Sequence, residues 1–331
     1  MKAQAGLDAA HVLTTKLYIP PARANAITRP RLIEKLLAGM QRQDSFTLVS
    51  GPAGFGKTTL LSACVAQRLG TVAWVSLDEG DNDPARFWAH LIAACRSVLG
   101  DVGAAALELL GTAQRLPNDA IPTLLINDLT AQDRPVMLVL DDYHAIQNPS
   151  LHASLLFLLE HQPHTLHVVI STRTDPPWPL ARYRARNQLI EIRAQDLRFT
   201  VDETAAFLNQ TMGLALSAEA VAALEERTEG WIAGLQLAAL SLQGRADTAA
   251  FIQAFTGSHI YVAEYLVEEI LQRQPDEAQD FLLQTAILER MNAALCEAVT
   301  GCEDGQAMLA ALQRTNTFII PLDSEGQWFR Y

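Results

Sequence analysis

A glycine-rich stretch in the first sixth of the chain constrains the possible fold and ligand more than any other feature. Residues 51–58 read Gly-Pro-Ala-Gly-Phe-Gly-Lys-Thr; the apolar run 46–49 precedes them, and a helix-like segment at 59–68 follows. A strand, a glycine-rich loop and a helix in this order are what a phosphate-binding loop requires. The pattern therefore predicts that the chain binds a nucleoside triphosphate.

Each residue type in this loop has a physical role. Glycines let the backbone turn tightly, so that successive N–H groups point into one concave site at a helix N-terminus, where an anion is stabilised. Lys57 adds a positive charge for the outer phosphates, and the Thr58 hydroxyl is placed to ligate Mg²⁺. The loop residues expected to bind the nucleotide are Gly51, Pro52, Ala53, Gly54, Phe55, Gly56, Lys57, Thr58 and Thr59.

A second motif supports the first. Residues 136–140 are apolar and lead directly into Asp141 and Asp142. This is how a central parallel strand delivers carboxylates to the carboxyl edge of a sheet. We predict that Asp141 holds the hydration shell of Mg²⁺, and that Asp142 orients or deprotonates the attacking water.

Three further segments predict strands of the same parallel sheet: residues 71–77, 167–173 and 188–192. The fourth strand in chain order ends in Arg173. If this strand lies between the first and the third, Arg173 arrives beside the γ-phosphate, where it is placed to sense whether that group is present. The predicted catalytic residues are Lys57, Asp142 and Arg173.

The segment before the first strand offers two more candidates for nucleotide binding. In many phosphate-loop proteins this segment wraps the base, and Ile27 and Arg29 lie in it here. The alternative is an ordinary helix start, with Thr28 as the N-cap, Pro30 in the first turn and a solvated arginine. Both interpretations stay open at this point.

The second half of the chain has a different predicted secondary structure. From a capping box at residues 200–203 onward, the sequence predicts only helices until a β-hairpin formed by residues 318–322 and 327–331. Helices followed by a hairpin indicate a winged helix. The predicted fold is therefore an α/β phosphate-loop NTPase with a parallel sheet, followed by an all-helical lid and a winged-helix arm. The expected boundaries are 1–40 for an N-terminal segment near the base, 41–199 for the ATPase domain, 200–256 for the lid and 257–331 for the winged helix.

Composition limits the partners. The 331 residues carry a net charge of −12 without a cluster of Lys and Arg, so this part of the protein is not expected to bind nucleic acid by itself. No apolar run approaches the length of a membrane span, and the first residues lack a signal pattern, which favours the cytoplasm. The four cysteines lack the paired spacing of a zinc site.

Several motifs together resemble one known family. They are residues 17–21 (Leu-Tyr-Ile-Pro-Pro), 51–59, 140–144 (Leu-Asp-Asp-Tyr-His), 171–177 (Ser-Thr-Arg-Thr-Asp-Pro-Pro), 194–199 and 229–237. With them, the chain resembles the nucleotide-binding core of the large, MalT-like ATP-dependent activators of the LuxR type. These activators belong to the STAND class of signalling ATPases.

This resemblance implies a switch. Members of the family rest as closed, ADP-bound monomers, open with ATP and an inducer, self-associate and activate transcription. We further expect this chain to hydrolyse ATP slowly, as a timer would. Other STAND proteins place an adenine-contacting proline at the position of Gln236, which leaves that base contact open here. Family members also continue into a helical-repeat sensor and a LuxR-type helix-turn-helix. Contacts with the inducer and with DNA are therefore expected from domains that this chain lacks.

The alternative is a metabolic phosphate-loop NTPase or a small-molecule kinase whose helical region binds a substrate. No second polar constellation at 200–331 indicates a substrate site, which favours the switch.

Overall fold

The computed structural model describes residues 12–21, 26–42, 45–67, 70–112, 117–244, 248–255, 260–315, 317, 319–323 and 325–331. The chain divides into two compact units. The first comprises the chain up to Ser50 together with Lys57–Asp196, and the second comprises Gly51–Gly56 together with Leu197–Tyr331. The first unit contains a parallel sheet, and the second contains helices and a short hairpin. The predicted class, an α/β sheet followed by a helical region, is confirmed.

The sheet of the first unit has five strands. They are β1 (Phe46–Ser50), β2 (Thr71–Ser76), β3 (Val136–Asp141), β4 (Leu166–Thr172) and β5 (Leu189–Ile192). All neighbours pair in parallel, in the order β2-β3-β4-β1-β5. The fourth strand therefore lies between the first and the third, as the prediction for Arg173 requires.

The sequence of the central strands explains their place. Every residue of β1, β3 and β4 is buried, without the alternation of a half-exposed strand. Such continuous burial is typical of parallel strands that are covered on both faces. Phe46 of β1 packs edge-on against the rings of Trp178 and Tyr183, with ring centroids 6.1 and 5.4 Å away. The apolar runs in the sequence are thus the core of this unit.

Helices α1–α8 accompany these strands. Their bounds are α1 (Pro30–Met40), α2 (Lys57–Ala66), α3 (Pro84–Leu99), α4 (Ala104–Leu110), α5 (Ala120–Thr130), α6 (Pro149–Glu160), α7 (Leu180–Ala185) and α8 (Ala194–Leu197). The predicted cap at Thr28 is wrong, because α1 begins at Pro30 with Arg29 as the N-cap and no side-chain cap. Proline at the first helical position supplies the right φ and has no N–H that needs an acceptor.

The second unit is built from α9 (Val201–Ala205), α10 (Ala218–Thr228), α11 (Ile232–Leu242), α12 (Thr248–Ala254), α13 (Ile260–Glu269), α14 (Asp276–Thr285), α15 (Ala293–Thr300) and α16 (Gly305–Arg314). Two short antiparallel strands follow, β6 (Ile320–Pro321) and β7 (Phe329–Arg330). The predicted capping box is present, since the side chains of Thr200 and Glu203 each accept from the other's backbone N–H. The hairpin is present with shorter strands than predicted, and Phe318 and Ser324 lie outside the described residues.

A buried charged cluster holds the N-terminal segment of the first unit. Lys16 Nζ lies 2.5 Å from Asp81 Oδ2, and His90 Nδ1 lies 2.9 Å from Asp81 Oδ1. Because the backbone N–H of Leu13 donates to His90 Nε2, the Nδ1 atom must carry the ring proton and donate to Asp81. Burial opposes the charge of Asp81, but the hydrogen bonds from His90 and Lys16 outweigh it and lower its pKa to about 2. Thr14–Leu17, which include Lys16, form a 3₁₀ turn.

A second buried histidine gives a pH-dependent prediction. His167 on β4 lies 2.9 Å from Thr47 Oγ1, and burial lowers its pKa to about 4. The unfolded chain takes up this proton near the ordinary value of about 6.5, so the folded state loses stability as the pH falls from 6.5 towards 4. We expect a loss of up to about 3 kcal/mol, at 1.36 kcal/mol per pKa unit.

Urea denaturation of the wild type and of His167→Gln at several pH values between 7 and 4.5 measures this effect. The difference in the free energy of unfolding between the wild type and the variant is expected to narrow as the pH falls. Only the wild type carries the buried histidine, whose neutral form the folded state requires. A gap that is constant over this range would contradict the assignment.

Within the part of the chain that the structure describes, no helix combines the length and the apolarity needed to cross a bilayer.

Candidate functional site

The predicted acidic and basic residues of the first unit meet at one edge of its sheet. β3 ends at Asp141 and β4 ends at Thr172, directly before Asp142 and Arg173. Helix α2 begins at Lys57. The charges of Arg173, Asp142 and Asp141 all act on Lys57. The structure therefore brings together the three residues predicted to be catalytic and one of those predicted to bind metal.

Lys57 is held in an unusual state for a lysine. Its side chain is buried, with 7% of the residue exposed. Burial and the positive charge of Arg173 lower its pKa to about 8, although Asp142 and Asp141 act in the opposite direction. A desolvated ammonium beside a guanidinium is an unfavourable pair that an anion between them would relieve. This arrangement fits a bound phosphate group.

Thr58 and Asp141 form the candidate metal site. The Thr58 hydroxyl donates to Asp141 Oδ2 at 2.8 Å. Burial and the neighbouring Asp142 raise the pKa of Asp141, although hydrogen bonds from Ser171 and Thr58 act against them. Oδ1 of Asp141 is shielded from water and makes no hydrogen bond of good geometry within the described residues. A buried carboxylate beside a hydroxyl suits a hard cation such as Mg²⁺, which this site would hold with help from water and phosphate oxygens.

The two adjacent aspartates have different surroundings. Asp141 is 2% exposed, whereas 48% of the Asp142 side chain is accessible. Asp142 has a left-handed backbone, with φ 58° and ψ 38°, and its carboxylate lies 3.7 Å from His144 Nδ1. One carboxylate is therefore fixed against Thr58, and the other is open to water. This difference supports the predicted division of roles, which remains a prediction.

The glycine-rich loop belongs to the second unit, where the start of α11 holds it. The indole N–H of Trp231 donates to the carbonyl oxygen of Ala53 at 3.2 Å, and the backbone N–H of Ala233 donates to that of Gly54 at 3.0 Å. Gly54 and Gly56 have φ values of +76° and +73°. The apolar pattern of residues 231–240 indicates a packed helix and carries no sign of this contact with the loop.

Gly54 is required for two reasons. Its positive φ is strained for any residue with a Cβ, and a Cβ there would lie 2.5 Å from that of Ala233. We expect Gly54→Ala to destabilise the chain by about 3 kcal/mol or more, from backbone strain plus the steric clash. The matched control is Gly213→Ala, where φ is +70° and nothing lies within 4 Å. That variant should lose only about 1 kcal/mol.

Urea denaturation of the two glycine variants measures the difference. Equal losses of stability would mean that the contact of the loop with α11 does not constrain Gly54.

A charged network connects the ends of strands β1, β4 and β5 in the first unit. The hydroxyl of Ser50, the residue before the loop, donates to Asp175 Oδ1 at 2.9 Å. Arg193 pairs with Asp175 and with Glu191. Arg184 makes two hydrogen bonds with Glu191, at 2.7 and 2.8 Å. The sequence analysis assigned no role to Asp175 or Arg193. The polar residues at the ends of β4 and β5 were the available signal.

The two residues predicted to lie near the nucleotide base, Arg29 and Ile27, differ in burial. Arg29 is 4% exposed, and its Nη2 donates to the carbonyl oxygen of Asp196 at 3.3 Å. The alternative of a solvated arginine is therefore wrong, since packing against Asp196 buries the side chain. Ile27 is half-buried. Their contact with a base stays a prediction.

The parallel sheet, the glycine-rich loop and the acidic end of β3 define a phosphate-loop NTPase fold. The model of the AAA ATPase domain matches residues 26–171, and the model of the MalT winged helix domain matches residues 267–331. The Walker-type ATPase PABY2304 of Pyrococcus abyssi has a similar fold, with a TM-score of 0.63 and 16% identity over 94% of this chain and 95% of that one.

The chain shares a higher sequence identity with one group of regulators than with this ATPase. The HTH-type transcriptional regulator MalT of Klebsiella pneumoniae subsp. pneumoniae is 35% identical over 322 residues, covering 97% of this chain and 35% of that protein. MalT of Cronobacter sakazakii is 36% identical over 326 residues, with the same coverage. The chain spans about a third of the length of these relatives. It is therefore similar to part of the MalT regulators and combines a match to an AAA ATPase domain with a match to a MalT winged helix domain, so the predicted resemblance is confirmed.

Proposed function

We propose that this chain is the nucleotide-binding switch core of a transcriptional regulator, which binds ATP or ADP with Mg²⁺ and hydrolyses ATP slowly. The observation that supports this proposal most directly is the buried Lys57 facing Arg173 at the acidic edge of the sheet. A desolvated lysine, a half-buried arginine and a buried carboxylate beside a hydroxyl are suited to a phosphate chain and its cation.

Each residue has a proposed task in this site. The backbone N–H groups of residues 53–56 hold the phosphates, and Lys57 binds the outer ones. Thr58 and Asp141 hold Mg²⁺, whose charge neutralises the phosphate oxygens when it is bound. Asp142 orients a water molecule for attack and accepts its proton. Arg173 distinguishes ATP from ADP, and a tenfold preference needs only about 1.4 kcal/mol.

The regulatory part of the proposal rests on the relatives. Their names describe transcriptional regulators with a helix-turn-helix. We infer that nucleotide exchange and hydrolysis switch this core between a closed form and an open, self-associating form. Any contact with an inducer or with DNA would then involve regions of the relatives that this chain does not span. The net charge of −12 is consistent with weak DNA binding by the core itself.

Steady-state turnover tests the switch against a metabolic enzyme. We expect the purified chain to hydrolyse ATP far more slowly than the roughly 1–100 s⁻¹ of a typical kinase. A switch that turned over quickly would rest in its product state whatever the signal. Turnover in the range of kinases with rapid product release would contradict the proposal.

A further inference from the structure

The second unit contains a cavity, and one residue of its lining, Phe55, comes from the glycine-rich loop. Its volume is about 490 Å³, and every described residue that lines it belongs to this unit. Cavities of roughly 300–1,000 Å³ with mainly apolar walls are typical of small-molecule sites. Such a volume accommodates a ligand body of ten or more carbon atoms, at roughly 30 Å³ for each group of the size of a water molecule.

The walls of this cavity are mainly apolar. Helix α13 contributes Val262 and Leu266, Ile270 follows it directly, and Phe255 and Trp231 also line the cavity. Phe255, Val262 and Trp231 are buried, so the inner wall is shielded from water. A ligand that fills this space would gain about 25 cal/mol for each Å² of apolar surface removed from water.

The charged residues of the lining have a positive balance. They include Arg198, Arg227 and Glu229. Glu229 is already neutralised twice, because Arg198 Nη1 lies 2.7 Å from its Oε2 and Arg330 Nη1 lies 2.5 Å from its Oε1. The lining therefore carries two arginines against one carboxylate, and Arg330, which is outside the lining, also pairs with that carboxylate, in a protein whose net charge is −12.

Arg227 is the charge most available to a ligand. It is exposed, and its Nη1 donates to the carbonyl oxygen of Phe255 at 3.0 Å. Among the described residues, no carboxylate lies within ion-pairing distance of it. Its remaining N–H groups, arranged as a planar fork, suit a carboxylate or a similar anion.

We propose that this cavity binds a small amphiphilic anion, with an aliphatic or aromatic body against α13 and a carboxylate at Arg227. The excess positive charge disfavours an amphiphilic cation, and the apolar walls offer few partners for the polar edges of a nucleotide base. The lining includes Phe55 of the glycine-rich loop but none of Lys57, Thr58, Asp141 and Arg173, and the proposal does not depend on the proposed switch function.

Calorimetric titration with sodium decanoate tests this proposal on the whole chain. We expect saturable binding at one site per chain, and binding at least about tenfold weaker for decyltrimethylammonium, which has the same tail and the opposite charge. A rise in melting temperature with decanoate concentration should accompany binding, because the ligand binds the folded state.

Two variants locate the site. Leu266→Trp fills the cavity and is expected to weaken decanoate binding about tenfold or more, and Arg227→Gln should weaken it about tenfold through the lost ion pair. The matched controls are Ile287→Trp, at an exposed position outside the lining, and Arg314→Gln, an exposed arginine that also donates to a backbone carbonyl. Both controls should bind like the wild type.

Several outcomes would overturn the proposal. They are the absence of saturable binding, equal binding of the anion and the cation, and loss of binding in the controls as well as in the variants. Loss of self-association in Leu266→Trp, without decanoate binding by the wild type, would instead identify the cavity as a protein interface. If Leu266→Trp does not fold, the comparison of Arg227→Gln with Arg314→Gln decides the question alone.

Discussion

Replacing Lys57 with alanine is expected to weaken ATP binding by about 3 kcal/mol, roughly a hundredfold in the dissociation constant. The ammonium group of Lys57 is buried beside Arg173, so a phosphate that enters gains a charge-assisted interaction already stripped of water. Without the lysine, the outer phosphates are left with Arg173 and the backbone donors. Calorimetry on nucleotide-free protein measures the change.

The folded state should tolerate this substitution. Alanine removes a desolvated cation from beside a second cation, so the melting temperature without nucleotide should stay the same or rise. The matched control is Lys35→Ala, which removes a half-exposed lysine lying 3.3 Å from Asp196. That variant should bind ATP like the wild type. Unchanged ATP affinity in Lys57→Ala would refute the assignment of the loop.

The two aspartates at the end of β3 are expected to respond differently to the same change. Asp142→Asn should keep ATP binding and slow single-turnover hydrolysis by roughly a hundredfold, because the open carboxylate no longer accepts a proton from water. Asparagine tolerates the left-handed backbone found there, so the turn should persist. Asp141→Asn should instead weaken the Mg²⁺ dependence of ATP binding, because the buried carboxylate beside Thr58 loses its charge.

Rapid-quench single-turnover assays and ATP titrations with and without Mg²⁺ separate these effects. Hydrolysis at the wild-type rate in Asp142→Asn would show that this carboxylate is not the base. If Asp142→Asn rather than Asp141→Asn lost the Mg²⁺ dependence, the two roles would be reversed.

Much of the first unit could be predicted from the sequence, because buried parallel strands are continuous apolar runs. The strand at 136–141 and its acidic end are local features of this kind. The strand order was left conditional, since no local pattern states which strands are neighbours. The strand order decides where Arg173 lies. Only the observed position of β4 between β1 and β3 brings that residue to the edge where Lys57 begins α2.

The contacts that hold the site could not be predicted, because they join distant parts of the chain. Trp231 and Ala53 are 178 residues apart, and Lys16 and Asp81 are 65 apart. Spacing carries no information about such pairs. The cavity in the second unit could not be predicted for a related reason, since its walls come from several helices. The pattern of any one of these helices alone does not indicate a cavity.

The most direct test is to identify the nucleotide in freshly purified protein. The protein is denatured, and the released material is separated by ion-exchange chromatography. Proteins prepared in parallel with Lys57→Ala and Lys35→Ala serve as the variant and its control. We expect ADP close to one molecule per chain in the wild type and in Lys35→Ala, and little in Lys57→Ala. A wild-type protein that carries no nucleotide, and binds neither ATP nor ADP when they are added with Mg²⁺, would contradict the assignment of this chain as a nucleotide-binding core.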